Sequence, residues 1–192
     1  HFEFIYDEIK KGIQSDTHLI LNGDDPLVHK FAIGHTGKVN YFELDRTSFS
    51  KEEADIKYYD NLDVVYCPIC SSKLKYSFIH YGGVGSYKCP NNHFEKPNEL
   101  YMSKLEDDYF TIDNNKIMMP NKFLYNIYNL SACYITAVLS GVDKDSVVKS
   151  LNDLRFKRIE DINYKGKSYH FLLSKNENAV SFNQSIDFVT KT

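Results

Sequence analysis

Cysteine spacing constrains this chain more than any other feature. Cys67-Pro-Ile-Cys70 is a C-x-x-C pair, and Cys89 follows across the stretch "SSKLKYSFIHYGGVGSYK". Two cysteines separated by two residues can aim both thiolates at one point while the turn's amides support them. A further cysteine across a hairpin-sized gap is the spacing of a reduced zinc ribbon, not of an oxidised framework. The second pair is incomplete, because Asn92 stands where its closing cysteine would fall. His93 is the leading fourth ligand, since an imidazole reaches farther than a thiol. His80 is the rival, and a water or an unfilled position the third choice. With no reactive group beside the pair, the zinc would be structural. Structural zinc contributes roughly 10–16 kcal/mol in zinc-finger peptides, against about 5–15 for a whole domain. A small β subdomain with few large aliphatics would therefore depend on its metal. Cys133 lies in a long apolar stretch and reads as a small core residue.

The surrounding pattern predicts an α/β fold. Ile5, Ile9 and Ile13 form one apolar stripe of a helix. His18–Leu21 is a short strand ended by Asn22-Gly23. Asp25 then suits a helix N-cap and Pro26 the first helical position, with Leu27, Val28 and Phe31 facing inward. Val39–Leu44 is the next strand, and strand–helix–strand implies parallel pairing. Residues 45–60 are polar, a surface excursion. From Val64 to about Met119 short strands predominate, with Leu74, Tyr76 and Phe78 alternating and Gly82, Gly83 and Gly85 at turns. Helical period returns in "NKFLYNIYNLSACYITAVLSG", apolar nearly all round, with Leu124, Ile127, Leu130, Tyr134, Ala137 and Val138 inside and Gly141 closing it. A short helix from Asp143, strands at Arg158–Ile162 and Tyr169–Leu173, and a last short helix complete the chain. The division expected is 1–60 and 119–192 as two parts of one α/β domain, with 61–118 as an inserted β subdomain.

Charge and hydropathy exclude several classes. The 192 residues are 42% hydrophobic, enough for one real core. Net charge is −3, so no basic field recruits nucleic acid or anionic lipid. No apolar run approaches the roughly 18–20 residues of a membrane helix, and no secretory signal opens the chain, so a cytoplasmic protein is expected. The start at His1 without Met suggests a part of something longer. "GHTGKV" imitates a phosphate loop, but it leads into a strand instead of opening a helix, and Val39 replaces the Mg²⁺-binding hydroxyl. A competing function is a ribbon module that recognises a protein or nucleic acid through the Lys and Tyr side chains of "SSKLKYSFIHY".

Four stretches carry a resemblance. They are "LILNGDDPLV" (19–28), the cluster ending "YKCPNNHFEKP" (87–97), "FLYNIYNLSACYITAVLSGVD" (123–143) and "KRIEDINYKGKSYHFLLSKNENAVSFNQSID" (157–187). In that order they resemble the MurT family, the Mur-ligase-type subunits of bacterial lipid II isoglutaminyl synthases. The resemblance implies a Mur-ligase central, mononucleotide-binding α/β domain with an inserted zinc ribbon, followed in the full protein by a C-terminal domain. It implies an ATP-dependent C–N ligase of peptidoglycan and cell-wall synthesis. ATP would phosphorylate the α-carboxylate of D-glutamate in lipid II, and ammonia from a glutamine amidotransferase partner would displace the phosphate. The cofactors implied are ATP, Mg²⁺ and structural Zn²⁺. Asn126 and Asn129 match two asparagines that lie beside the adenine, Tyr125 standing where the family has His. Arg158, with Glu160 two residues on, matches an arginine that approaches the nucleotide phosphates. Lys175-Asn176 matches the start of a K-N-P-x-G segment, with Glu177 in place of Pro. The family's fourth ribbon cysteine falls at Asn92 and its usual glycine at His93. The family's phosphate loop lies upstream, so this stretch alone is expected to be catalytically inert.

Overall fold

The computed structural model describes residues 2–52, 65–98, 100–120, 123–154, 159–172 and 186. Leu19–Asn22 (β1) and Val39–Leu44 (β2) pair in parallel, Leu19 opposite Val39 and Asn22 opposite Phe42. Their crossover is one helical turn, Pro26–His29 (α2), extended by a 3₁₀ turn at Lys30–Ala32. It starts where local chemistry directs. Asp25 Oδ1 accepts the Leu27 and Val28 N–H groups at 2.9 and 3.4 Å, and Pro26 has no N–H to leave unpaired. "GHTGKV" leads into β2, as a turn before a strand does. The first helix, Phe2–Gly12 (α1), has the expected period but packs through its polar side chains. The Tyr6 hydroxyl donates to the Lys30 carbonyl, and Lys10 Nζ donates to those of Phe31 and Ile33 at 2.7 and 2.9 Å. Ile5 and Ile9 of the apolar stripe face solvent, about half exposed.

Leu100–Leu105 (β6) pairs in parallel with β2. Tyr109–Ile112 (β7) and Asn115–Met118 (β8) continue the sheet antiparallel, joined by a two-residue turn. Asp113 and Asn114 hold φ of 50° and 61° there, the mirror-image turn that matches strand twist and that short polar residues tolerate. The sheet order is β1-β2-β6-β7-β8. Residues 100–118, expected within the insertion, thus belong to the main sheet, because β6 finds its partner in a strand far away in sequence. Beside the cysteine loops lies a separate antiparallel sheet, Lys51–Glu52 (β3), Lys75–Tyr81 (β4) and Val84–Lys88 (β5), with β4 and β5 turned at Gly82 and Gly83. This small module occupies the β2-to-β6 connection, where a parallel pair ordinarily has a crossover helix.

One long helix, Leu124–Leu139 (α3), covers the main sheet. Its Ile127, Leu130, Tyr134 and Ile135 share a buried core with Phe42, Leu44, Phe110, Ile112 and Ile117. Gly141, at φ 87°, ends it with the N–H of Val142 on the Ala137 carbonyl and its own N–H on that of Val138, both 3.0 Å. Asp143 caps Lys144–Asn152 (α4), which adds Val147 and Leu151 to the core. The long helix is not apolar all round. Asn129, Cys133, Thr136 and Ser140 form an exposed stripe, so Cys133 is a surface thiol and not a core residue. Ile159–Tyr164 (β9) and Lys167–Leu172 (β10) form a hairpin. Arg158, Lys175, Asn176 and the expected last helix, apart from Ile186, lie outside the described residues.

Candidate metal centre

Two loops of the small module bring three thiols together. The Sγ atoms of Cys67, Cys70 and Cys89 all lie within 4.8 Å of one another, a group that could hold a metal ion, and those of Cys70 and Cys89 are 3.5 Å apart. Cys67 and Cys89 are buried and Cys70 is half-buried. Each loop aims an amide at its leading sulfur: Ile69 N–H at Cys67 Sγ (3.5 Å) and Asn91 N–H at Cys89 Sγ (3.4 Å). That is the support thiolates require in paired turns.

The loops differ at one residue, and the difference answers the missing cysteine. In the first loop the left-handed residue is Ser71 (φ 57°), after the second thiol; in the second it is Asn92 (φ 56°). The chain therefore reverses where a fourth thiol was expected, and an asparagine suits a left-handed turn. The next side chain, His93, is exposed at the rim of the cluster. The Cys70 thiol is lowered to about 5, first by its hydrogen bonds with Ser72 and then by Asn91 and His93, while burial pushes the Cys67 thiol up. The donor set the structure brings together is the three thiols, a soft set that suits zinc, and His93 is not among the atoms within 4.8 Å of one another. His80, the rival ligand, is committed elsewhere. Its Nε2 lies 3.1 Å from the Leu44 carbonyl and its Nδ1 2.9 Å from Ser50 Oγ, so both ring nitrogens are engaged at the sheet.

From this cluster the segment Cys89–Lys96 runs back to the carboxyl ends of β1 and β2. Cys89 N–H donates to the Phe94 carbonyl (2.7 Å), and the Phe94 ring stacks on His29 with centroids 4.5 Å apart. The Tyr87 hydroxyl donates to the Gly23 carbonyl (3.1 Å), so His29 Nδ1, 2.7 Å from it, is the donor and carries the proton. Gly85 N–H donates to the Asp24 carbonyl at 2.8 Å. The Lys96 ammonium lies 2.7 Å from Asp24 Oδ1 and also contacts the Glu43 carboxylate. Asp24, fully buried, uses its other oxygen for the Leu44 N–H and the Tyr128 hydroxyl, both 2.8 Å. Burial works against the Lys96 charge, but Asp24 and Glu43 outweigh it and hold the ammonium protonated more firmly than usual. Burial pushes the Glu43 carboxyl up against the pull of Lys96. The helix cap needs one carboxylate, that of Asp25, which leaves its neighbour Asp24 to meet the buried Lys96 cation.

The residues matched to adenine binding are split. Asn126 is buried in the first turn of α3, and Asn129, one turn on, is exposed. Tyr128, between them, reaches Asp24, so this end of α3 lies at the carboxyl end of β1, where open α/β sheets bind ligands. Of the aromatic residues in "SSKLKYSFIHY", Tyr76 and His80 are buried and Phe78 and Tyr81 half-buried. The Arg46 and Lys96 cations lie against the Phe78 ring, which leaves little open ring face for a stacked base.

No family model matches the chain. It is 30% identical over 196 aligned positions to subunit MurT of the glutamine-hydrolyzing lipid II isoglutaminyl synthase of Streptococcus pneumoniae, an alignment covering 98% of this chain and 42% of that subunit. MurT of Staphylococcus aureus strain COL is 26% identical over 140 positions, 71% of this chain and 30% of that one. The chain thus spans less than half the length of these curated relatives. Among solved structures, a pseudomurein peptide ligase type C from Methanothermus fervidus superposes with a TM-score of 0.68 at 23% identity, over 88% of this chain and 34% of the other, and so shares its fold.

Proposed function

We propose, from the premise that this chain is related to MurT along nearly its whole length, that it is the central-domain stretch of an ATP-dependent amide ligase subunit. The reaction is amidation of the D-glutamate α-carboxylate of lipid II. A carboxylate repels nucleophiles; transfer of the ATP γ-phosphoryl group to its oxygen makes an acyl phosphate. Ammonia, supplied by a glutamine amidotransferase partner, then attacks the carbonyl carbon, and phosphate leaves with the C–O bonding pair. Mg²⁺ supplies charge neutralisation at the phosphates. This stretch contributes the scaffold: Asn126 and Asn129 at the adenine, Arg158 toward the phosphates, and a structural zinc held by Cys67, Cys70, Cys89 and His93. The protein works in the cytoplasm, and no helix among the described residues is long and apolar enough to cross a membrane.

The observation that carries this reading is the extent of the likeness to MurT, 98% of the chain, thiol module included. Purified full-length protein with its amidotransferase partner, given lipid II, ATP and glutamine, should yield amidated lipid II and ADP together. ATP hydrolysis without amidation, or amidation without ATP, overturns the assignment. Residues 1–192 alone should bind ATP only at millimolar concentration by calorimetry, the phosphate loop lying outside them.

A further inference from the structure

One short segment, Cys89–Lys96, links the thiol cluster to the carboxyl ends of β1 and β2, and both its ends are fixed. At one end are the Cys89 thiol and the His93 ring. At the other, the Lys96 ammonium bridges Asp24, which follows β1, and Glu43, near the end of β2. Between them, Lys96 N–H donates to the Tyr87 carbonyl at 3.0 Å and Phe94 stacks on His29. We propose that Lys96 is a positioning residue whose buried bridge couples metal occupancy at the thiol cluster to the geometry of the sheet's carboxyl end. This rests on the zinc reading above.

Apolar docking through Phe94, Tyr87 and Leu27 would hold the module in place without any ion. A buried ammonium between two carboxylates is different, because desolvation is offset only when charges sit in hydrogen-bonding geometry. The groups facing Lys96 are Asp24, Glu43, the Phe78 ring and, farther off, His80, with Asp45 near Glu43 and Tyr128 closing Asp24 from α3. Freeing Cys89 and His93 from a metal frees the loop that aims Lys96. Glu43 is then left buried without its cation, and Asp24 keeps only the Leu44 N–H and the Tyr128 hydroxyl. Bridged and released forms are two discrete states, so metal and bridge favour each other reciprocally.

Two amides report the state of Asp24: that of Leu44, bonded to its carboxylate, and that of Gly85, bonded to its carbonyl. In the metal-loaded full-length protein, chelation should speed hydrogen exchange at both by about tenfold or more, while the β7–β8 amides keep their protection. Lys96→Met should exchange fast at both even when loaded. It should also bind cobalt(II) about fivefold or more weakly in chelator competition, the lower end of typical coupling. Lys96→Arg should restore most of both effects, and Lys144→Met, which breaks the distant pair with Asp113, should change neither. Unchanged protection of Leu44 and Gly85 in the chelated wild type overturns the coupling, even if Lys96→Met does not fold. Absence of cobalt(II) uptake overturns the coupling and the zinc reading together. Neither readout uses nucleotide or lipid II, so the ligase assignment stands or falls separately.

Discussion

His29 is held neutral by where it sits. Its ring is packed between Phe94 and Tyr41, and burial lowers its pKa from the ordinary 6.5 to about 4. The folded protein therefore binds a proton there less readily than the unfolded chain does. The stability this contributes is fully present above pH 6.5 and is lost as pH falls toward 4. His29→Gln cannot titrate, so its melting temperature should fall less steeply than the wild type's across that window in parallel thermal scans. At the thiol cluster, Cys89→Ser should abolish stoichiometric cobalt(II) binding. His93→Ala should weaken it by at least about tenfold, the lower bound even for groups that only support a ligand. The C-x-x-C pair and its distant partner were legible as residues, because ligand spacing is a local geometric demand. His80 was not excluded by spacing. What excludes it is the pair of contacts to Leu44 and Ser50, residues that no local rule places beside it. Lys96 escaped notice for the same reason, since its carboxylate partners stand on two other elements.

Helix ends were the most readable elements. Asp25 with Pro26, Gly141 and Asp143 each act within a few residues of themselves, and all three fall where sequence chemistry puts them. Strand partners were less readable: β6 has the right character at nearly the right place, yet its membership in the main sheet depends on β2. Burial of α1 failed similarly, since the stripe of isoleucines is real but the carbonyls of Lys30, Phe31 and Ile33, in and just after the 3₁₀ turn, attract Tyr6 and Lys10 instead. Gly85, expected at a turn, lies instead inside β5 opposite Ile79, where the two backbones approach too closely for a side chain. A β-carbon there would lie 2.3 Å from the Phe78 carbonyl oxygen and 2.8 Å from the Ile79 Cα, both backbone atoms unable to move independently. Gly85→Ala should lower stability by about 1–3 kcal/mol, the range for forced overpacking, read as a reduced denaturant midpoint.

For the whole molecule, placing the thiol module between two paired strands has a kinetic consequence. β2 and β6 can register only after the ends of residues 45–99 meet, and the entropy of closing such a chain must be lost before any strand pairing compensates it. A module already folded around an ion presents both ends as one stiff piece, so the closure is shorter. Zinc supplied at the moment of dilution from denaturant should therefore accelerate refolding, whereas zinc supplied after the sheet has formed should leave the slow rate of the metal-free chain. The ion would thus govern how quickly the sheet is made.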